Sequence, residues 1–175
     1  MTTWVLLAGL PGTGKSTLAR KLQEKLGGVV LDKDRVREAL FPGTMTDYSR
    51  EQDDLCMQAI LEAAIYLSQR NRAPYIFLDG RTFSRRQQVE DVLRIAQQFG
   101  VAWRIVLLQC AEGVVMERLG KSAAEHPAGN RNFALYQQLK TSFEAITYPR
   151  LDVDTTKGVD GVIEDVTRYL TGARR

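Results

Sequence analysis

Residues 8–20 read AGLPGTGKSTLAR, and the prediction of the fold begins from this stretch. It fits the phosphate-binding pattern G-x-x-x-x-G-K-[ST] without a mismatch, through Gly9, Gly14, Lys15 and Ser16. An apolar run precedes it and a segment with helical periodicity follows it, which is the strand–loop–helix context that the pattern requires. In such a loop the backbone N–H groups and the start of the helix bind the phosphates of a nucleoside triphosphate.

The loop indicates ATP and Mg²⁺ as cofactors. Lys15 would contact the β- and γ-phosphates, and the Ser16 hydroxyl would complete the Mg²⁺ shell. ATP is favoured over GTP because the T-K-x-D element of guanine-binding proteins has one residue too many here, where residues 156–160 read TKGVD. The residues expected to contact the nucleotide are Gly9, Pro11, Gly12, Thr13, Gly14, Lys15, Ser16 and Thr17.

The composition is that of a folded protein with a substantial core. The 175 residues are 44% apolar and 26% charged, which excludes a disordered chain. The net charge of +3 suits a protein that handles anions, but it is weak evidence for a nucleic-acid partner. Cys56 and Cys110 lie in apolar runs without a C-x-x-C pairing, so we expect reduced core cysteines. No segment approaches the roughly 20 apolar residues of a membrane span, and we expect a cytoplasmic protein without a membrane partner.

Short apolar runs alternate with amphipathic segments along the chain. The S-x-x-Q patterns at 49–52 and 84–87 predict the starts of two helices as capping boxes, and the last helix is expected at about 159–170. This alternation predicts an α/β protein with a mainly parallel five-stranded sheet covered by helices on both sides. Together with the phosphate loop, the pattern resembles the three-layer αβα fold of P-loop nucleoside triphosphate hydrolases. We expect a single domain over 1–175. The predicted strands lie at 4–8, 29–31, 75–78, 105–108 and 151–153.

Ligands of a parallel sheet bind beyond the carboxyl ends of its strands, so the residues after each strand are the candidates for chemistry. Asp32 and Asp34 follow the second strand, and either could engage an attacking hydroxyl or simply cap the next helix. Asp79 follows the third strand and is placed to hold Mg²⁺ through a water. The next residue is Gly80, where an ATP-hydrolysing motor usually carries Glu, which argues against a hydrolase.

Arginines cluster after the third strand. Arg81, Arg85 and Arg86 could grip the phosphate or carboxylate of an acceptor, or solvate the start of a helix. We favour binding for Arg81, and solvation for at least one of Arg85 and Arg86.

A small lid is expected at about 119–132. Arg118 ends the helix before this Pro- and Gly-containing segment, and an arginine there would neutralise charge in the transition state. Arg131 could act with it or lie on the surface, and His126 is expected at a turn.

These motifs together resemble the P-loop kinases that phosphorylate hydroxyl groups. That group includes gluconate kinase, chloramphenicol phosphotransferase, the zeta toxins and the polynucleotide 5′-hydroxyl kinases, and the similarity is strongest to bacterial predicted kinases of the AAA-type ATP-binding family. The resemblance covers nearly the whole chain. It is carried by GLPGTGKST, DKDRVR, TDYSREQ, IFLDGRTFSRR, VMERL, NRNFALYQQLK and LDVDTT.

The resemblance implies roles for several residues. Asp34 and Arg37 match the D-x-x-R element that carries the family's catalytic carboxylate and an acceptor-binding arginine. Arg118 matches the first lid arginine, whereas the second is replaced by Lys121 and Ser122. The expected catalytic residues are Asp34, Lys15 and Arg118; the expected substrate-binding residues are Arg37, Asp79, Arg81 and Arg85; Ser16 and Asp79, through water, are expected to hold the metal.

The sequence therefore predicts an ATP- and Mg²⁺-dependent kinase that transfers the γ-phosphoryl group to a hydroxyl of a small molecule. Arginines near the site favour an anionic acceptor, although they could also clamp ATP. One alternative is a polynucleotide 5′-hydroxyl kinase, which the charge supports weakly. Another is a nucleotide-dependent regulatory ATPase without an acceptor.

Overall fold

The computed structural model describes residues 1–122 and 132–172. Five strands and seven α-helices lie within these ranges, together with a short 3₁₀ turn at Gly43–Met45. In chain order the strands and helices are β1 (Thr3–Ala8), α1 (Lys15–Leu26), β2 (Val29–Asp32), α2 (Lys33–Leu40), α3 (Arg50–Gln69), β3 (Tyr75–Asp79), α4 (Arg86–Gln98), β4 (Ala102–Gln109), α5 (Glu112–Ser122), α6 (Phe133–Thr141), β5 (Leu151–Asp154) and α7 (Ile163–Thr171).

The five strands form one parallel sheet in the order β2-β3-β1-β4-β5. The first strand of the chain, β1, is therefore the central one, and Leu6 pairs with Leu78 on one side and Ile105 on the other. The prediction of an α/β fold with a parallel five-stranded sheet is confirmed. Because all strands run the same way, their carboxyl ends meet at one edge.

Helices cover both faces of the sheet. On one face, Val5 and Leu7 of β1 pack in a cluster with residues of α1 and α7. On the other face, Trp4 and Leu6 pack in a cluster with residues of α3 and α4. This two-sided burial explains why the central strand is a continuous apolar run and does not alternate with polar residues.

Of three predicted helix starts, the one at Ser49 is confirmed and the other two differ from the structure. Ser49 does cap α3, since its hydroxyl accepts a hydrogen bond from the Gln52 N–H at 3.2 Å. Ser84, however, does not cap α4: it is buried, and Arg85 occupies the N-cap position instead. The last helix begins at Ile163, four residues later than expected, because residues 159–162 form turns.

No helix in the described ranges is long and apolar enough to cross a membrane.

Candidate active site

The phosphate loop connects β1 to α1 at the carboxyl edge of the sheet. Gly9 has a φ of +141°, and a Cβ there would lie 2.5 Å from the Leu108 carbonyl oxygen, so only glycine fits. Lys15 is 4% exposed and its Nζ donates to the carbonyl oxygens of Gly9 at 2.7 Å and Leu10 at 2.9 Å. The ammonium group is thus held inside the loop, and all eight predicted nucleotide-binding residues lie in this loop or in the first turn of α1.

A threonine that the sequence reasoning missed fastens this loop to the sheet. Thr155 follows β5 and is fully buried, and its hydroxyl lies 2.7 Å from the Thr13 carbonyl oxygen and 3.1 Å from that of Gln109. Its own carbonyl oxygen accepts a hydrogen bond from Arg118 Nη2 at 2.7 Å. Its position directly after a strand is the signal that could have found it.

Two aspartates at the end of β2 have different partners. Asp32 is the N-cap of α2, and its side chain accepts a hydrogen bond from the Asp34 N–H at 2.9 Å. Asp34 lies in the first turn of α2, and its Oδ1 is 2.9 Å from Arg37 Nη1. The side chains of Asp34 and Arg37 are only 11% and 5% exposed. The spacing of three residues therefore places this carboxylate and this guanidinium on the same face of α2, in contact with each other.

Two further charged residues join the pair. Asp53 of α3 lies 2.8 Å from Lys33 Nζ through its Oδ1, and the same oxygen contacts Arg37 Nη2. Lys33 Nζ is also 3.5 Å from Asp34 Oδ1. Burial lowers the pKa of Lys33 to about 8, against the opposing effect of Asp34. Sequence reasoning missed Lys33 and Asp53, because neither the burial of the lysine nor the docking of α3 on α2 can be read from a local pattern.

The end of β3 presents a buried carboxylate. Asp79 is 2% exposed, and neither of its carboxylate oxygens has a hydrogen-bond partner in the described part of the chain. It pairs in register with Asp32, whose pKa is raised by burial and by the charge of Asp79. Gly80 follows with a φ of +82°, and a Cβ there would lie 2.8 Å from both Asp32 Oδ1 and the Lys33 nitrogen. This close approach excludes a side chain after Asp79.

Asp79 and Ser16 suit a magnesium ion. A buried carboxylate without a partner costs free energy, and Mg²⁺ prefers oxygen ligands while keeping several waters and substrate phosphate oxygens in its shell. Within residues 1–122 and 132–172, no group of three or more His, Cys, Asp or Glu side chains could hold a metal.

The predicted arginines divide into two groups. Arg81 is largely buried, and its Nη2 lies 2.8 Å from Asp54 Oδ1. Arg85 is exposed but still borders the same cavity as Arg81. Arg86 is solvated and lies 3.8 Å from Glu90. Whether Arg81 or Arg85 binds an acceptor stays a prediction.

A cavity of about 400 Å³ is bordered by the phosphate loop, by α2 and α3, and by the residues after β3. Pro11 and Ser16 of the phosphate loop and α1 form one side, and α6 contributes Leu135 and Leu139. Tyr48 also lines it, with its ring 5.3 Å from the Arg37 guanidinium carbon. The cavity therefore connects the nucleotide end of the site to the charged cluster on α2 and α3.

Comparison with known proteins shows the family of the chain. The profile of the family AAA_33, described as an AAA domain, matches residues 5–146. The chain belongs to this family of P-loop kinases. No curated protein matches the sequence significantly.

Solved structures similar to this AAA-family chain share its whole fold. A candidate kinase from Chloroflexus aurantiacus j-10-fl is 20% identical, with a TM-score of 0.75 over 95% of this chain and 97% of that one. The APS kinase of Mycobacterium tuberculosis is 19% identical, with a TM-score of 0.70 over 98% of both chains. A gluconokinase from Sinorhizobium meliloti 1021 is 16% identical, with a TM-score of 0.67 over 97% of this chain and 92% of that one. At these identities the likeness shows the fold.

The lid region of this AAA-family chain is described only in part. Arg118 lies within α5, not at its end, and its Nη1 donates to the Gly12 carbonyl oxygen at 3.3 Å and to Cys110 Sγ at 3.4 Å. The first residues of the predicted lid at 119–132 continue α5, with Leu119 buried. His126 and Arg131 lie outside the described residues.

The remaining predictions concern surface and core residues. Lys121, which stands where relatives carry a second lid arginine, is exposed and pairs with Glu117 at 2.5 Å. Cys56 is buried and Cys110 is half-buried, and both are free thiols, as expected.

Proposed function

We propose that this AAA-family kinase transfers the γ-phosphoryl group of ATP to a hydroxyl group of a small-molecule acceptor. The observation that carries the proposal is the buried pair of Asp34 and Arg37, with nitrogen and oxygen 2.9 Å apart, in a cavity that also reaches the phosphate loop. Phosphoryl transfer needs positioning and charge stabilisation above all, together with a group that orients or deprotonates the nucleophile. This site offers each of these.

Asp34 is the proposed acceptor of the hydroxyl proton. As the hydroxyl oxygen bonds to the γ-phosphorus, the bond from that phosphorus to its bridging oxygen breaks, ADP leaves and the proton goes to the Asp34 carboxylate. Arg37 would orient the acceptor, since it lies beside the carboxylate and lines the same cavity. Asp32 is assigned no proton transfer here, because its side chain is already engaged in capping α2.

Positive charge on the nucleotide side comes from two residues of this chain. Lys15 lies within the phosphate loop, and Arg118 reaches the loop backbone at Gly12. Both would stabilise the charge that spreads over the phosphoryl oxygens in the transition state. Mg²⁺, held by Ser16 and through water by Asp79, would screen the charge of the β- and γ-phosphates.

Two further observations support a small acceptor. The cavity of about 400 Å³ falls within the usual size of a small-molecule site. The structure of the similar APS kinase was determined with AMPPNP and APS, and a gluconokinase shares the fold. A glutamate that would activate water, as in a hydrolase, does not fit after Asp79, because a Cβ on Gly80 would lie 2.8 Å from Asp32 Oδ1 and the Lys33 nitrogen.

An acceptor screen with γ-labelled ATP tests the proposal. Sugars, sugar acids, nucleosides, antibiotics and 5′-hydroxyl oligonucleotides are offered side by side, and the Asp34→Asn variant serves as the control. We expect label on a small hydroxyl compound, and its loss in the variant. Label on the oligonucleotide alone would make the protein a polynucleotide kinase. Slow release of labelled phosphate that no acceptor changes, with the same rate in the variant, would contradict a kinase.

A further inference from the structure

The acceptor cavity carries an excess of positive charge. Among the described residues, its lining includes five basic and two acidic side chains, so the lining carries a net charge of +3. Neither Lys15 nor Arg118 is among these residues, so the excess adds to the charge on the nucleotide side. The basic residues are Lys33, Arg37, Arg50, Arg81 and Arg85, and the acidic ones are Asp34 and Asp53.

Ion pairs inside the protein account for part of this charge. Lys33 and Arg37 are balanced by Asp34 and Asp53 in the buried cluster. Arg81 is paired with Asp54, an exposed residue just outside the cavity. Arg50 and Arg85 form no ion pair with any residue in the described ranges. With Asp54 included, an excess of about two positive charges remains at the cavity.

The same wall holds donors that no protein group satisfies. The Nε atoms of Arg37 and Arg81 are buried and lack a hydrogen-bond partner within residues 1–122 and 132–172. An unsatisfied donor on a charged group is costly in a buried site, so a rearrangement of these side chains in which a bound ligand accepts the bonds would be favoured. Guanidinium groups match phosphate oxygens in both geometry and charge.

We infer that the acceptor is an alcohol that carries a phosphomonoester, bound by the unpaired Arg85 and Arg50 and by Arg81, with Lys33 and Arg37 deeper in the cavity. A phosphomonoester is close to a dianion at neutral pH, because its second pKa is about 6, and so it matches two excess positive charges. A carboxylate or a sulfate ester carries one negative charge and would leave one arginine uncompensated. The inference rests on the proposed function, since it names the class of acceptor for that reaction.

Equilibrium binding tests this subsite apart from catalysis. Methyl phosphate and methyl sulfate, which have the same size but different charge, are titrated at pH 7.5 into the protein saturated with Mg·AMPPNP, so that the phosphate loop is already filled. We expect methyl phosphate to bind at least about tenfold more tightly than methyl sulfate. Arg81→Gln and Arg85→Gln should each weaken methyl phosphate by about ten- to a hundredfold, the range of hydrogen bonds to charged groups.

Arg86→Gln is the matched control, because Arg86 is the next residue and is solvated. The Arg86→Gln variant should leave the affinity for methyl phosphate unchanged. Because Arg85 is exposed, the Arg85→Gln variant is expected to fold. Equal affinity for the two anions, or the same loss in all three variants, would overturn the inference. Transfer to an uncharged alcohol without methyl phosphate binding would overturn the subsite alone. Normal methyl phosphate binding without transfer to any hydroxyl would overturn the proposed function and leave the subsite standing.

Discussion

At the scale of single residues, the site is a buried network of opposite charges. Asp34 has Arg37 at 2.9 Å and Lys33 at 3.5 Å, and Asp53 joins both cations from the neighbouring helix. Removing one member of such a network leaves a buried charge without its partner, which can lower the free energy of unfolding by several kcal/mol. Substitutions that keep shape and hydrogen bonding are therefore the informative ones, and melting temperatures must accompany each activity.

Asp34→Asn should lower the rate of phosphoryl transfer by about 10²–10⁴-fold, since the amide keeps the shape but cannot take a proton. The affinity for Mg·AMPPNP should not change, because the phosphate loop is untouched. Asp32→Asn is the control: asparagine caps a helix as well as aspartate does, so transfer should stay near the wild-type rate. A fully active Asp34→Asn enzyme would contradict the proposed base, and an inactive Asp32→Asn enzyme would move that role two residues back.

Lys33 should cause a loss of activity at basic pH, seen as a descending limb in the pH profile of kcat/KM for the acceptor. Its pKa is lowered to about 8, mainly by burial; Asp34 opposes this effect, while Arg37 and Arg81 add to it, and Asp53 lies in contact. Below this pH the charged ammonium attracts an anionic acceptor, and the attraction is lost as the pH rises through about 8. The kcat/KM for the acceptor should fall over that range, since it reports groups of the free enzyme.

Lys33→Arg provides the check on this assignment. Arginine stays protonated throughout the measured range, so the limb should disappear while activity at pH 7 is largely kept. If the limb persists in the variant with the same midpoint, another group is responsible for it.

At the scale of elements, the strand ends hold the phosphate loop in place. The Thr155 hydroxyl after β5 bonds to the loop at Thr13 and to β4 at Gln109, while its carbonyl oxygen holds Arg118 of α5. Three segments that are distant in sequence are thereby joined at one buried residue. Similarly, Gly80 lets the end of β3 approach the start of α2 closely enough to place Asp79 beside Asp32.

Thr155→Val should loosen the phosphate loop. Valine has nearly the same shape but no hydroxyl, so the Thr13 carbonyl oxygen loses its donor, while Gln109 keeps the bond from the Thr155 N–H at 2.9 Å. The loss should lower the free energy of unfolding by about 1–3 kcal/mol. The KM for ATP should rise while the KM for the acceptor stays unchanged, which a general loss of stability would not produce. Thr155→Ser retains the hydroxyl and should restore the affinity for ATP. An unchanged KM for ATP in the valine variant would show that this bond does not shape the loop.

At the scale of the whole molecule, the strand order places the residues proposed to bind nucleotide and acceptor at one edge of the sheet. With β1 next to β3, the phosphate loop lies beside the end of β3, and β2 brings α2 to the same edge. A nucleotide bound there contacts a loop that is hydrogen-bonded to Thr155 after β5 and to Arg118 of α5. Binding should therefore stabilise the entire fold and not only the loop.

Mg·AMPPNP at a hundred times its Kd should stabilise the protein by about 2.7 kcal/mol, which corresponds to a rise in Tm of roughly 5–10 °C for a chain of this length. Lys15→Ala should abolish the shift, because its ammonium group lies within the phosphate loop. Lys21→Ala is the matched control on the same helix, since Lys21 is exposed and paired with Asp160 at 2.9 Å. A full shift in the Lys15→Ala protein would refute the nucleotide site.

Local signals were sufficient for the fold and for the position of the phosphate loop in it. The loop pattern, the alternation of apolar runs with amphipathic segments and the residues after each strand depend on spacing along the chain, and strands and helices have fixed periods. These features predicted the five parallel strands and the phosphate loop, whereas the choice of Asp34 with Arg37 came only from the resemblance to P-loop kinases.

Tertiary structure decided what lies between elements. The sequence left Asp32 and Asp34 open between capping and catalysis, and the cap hydrogen bond of Asp32 is seen only once α2 is formed on β2. Lys33 and Asp53 are 20 residues apart, and Thr155 and Thr13 are 142 apart, so no local pattern relates them. The physical reason is that burial, ion pairing and close backbone approach depend on how elements pack against each other, and packing is a property of the whole chain.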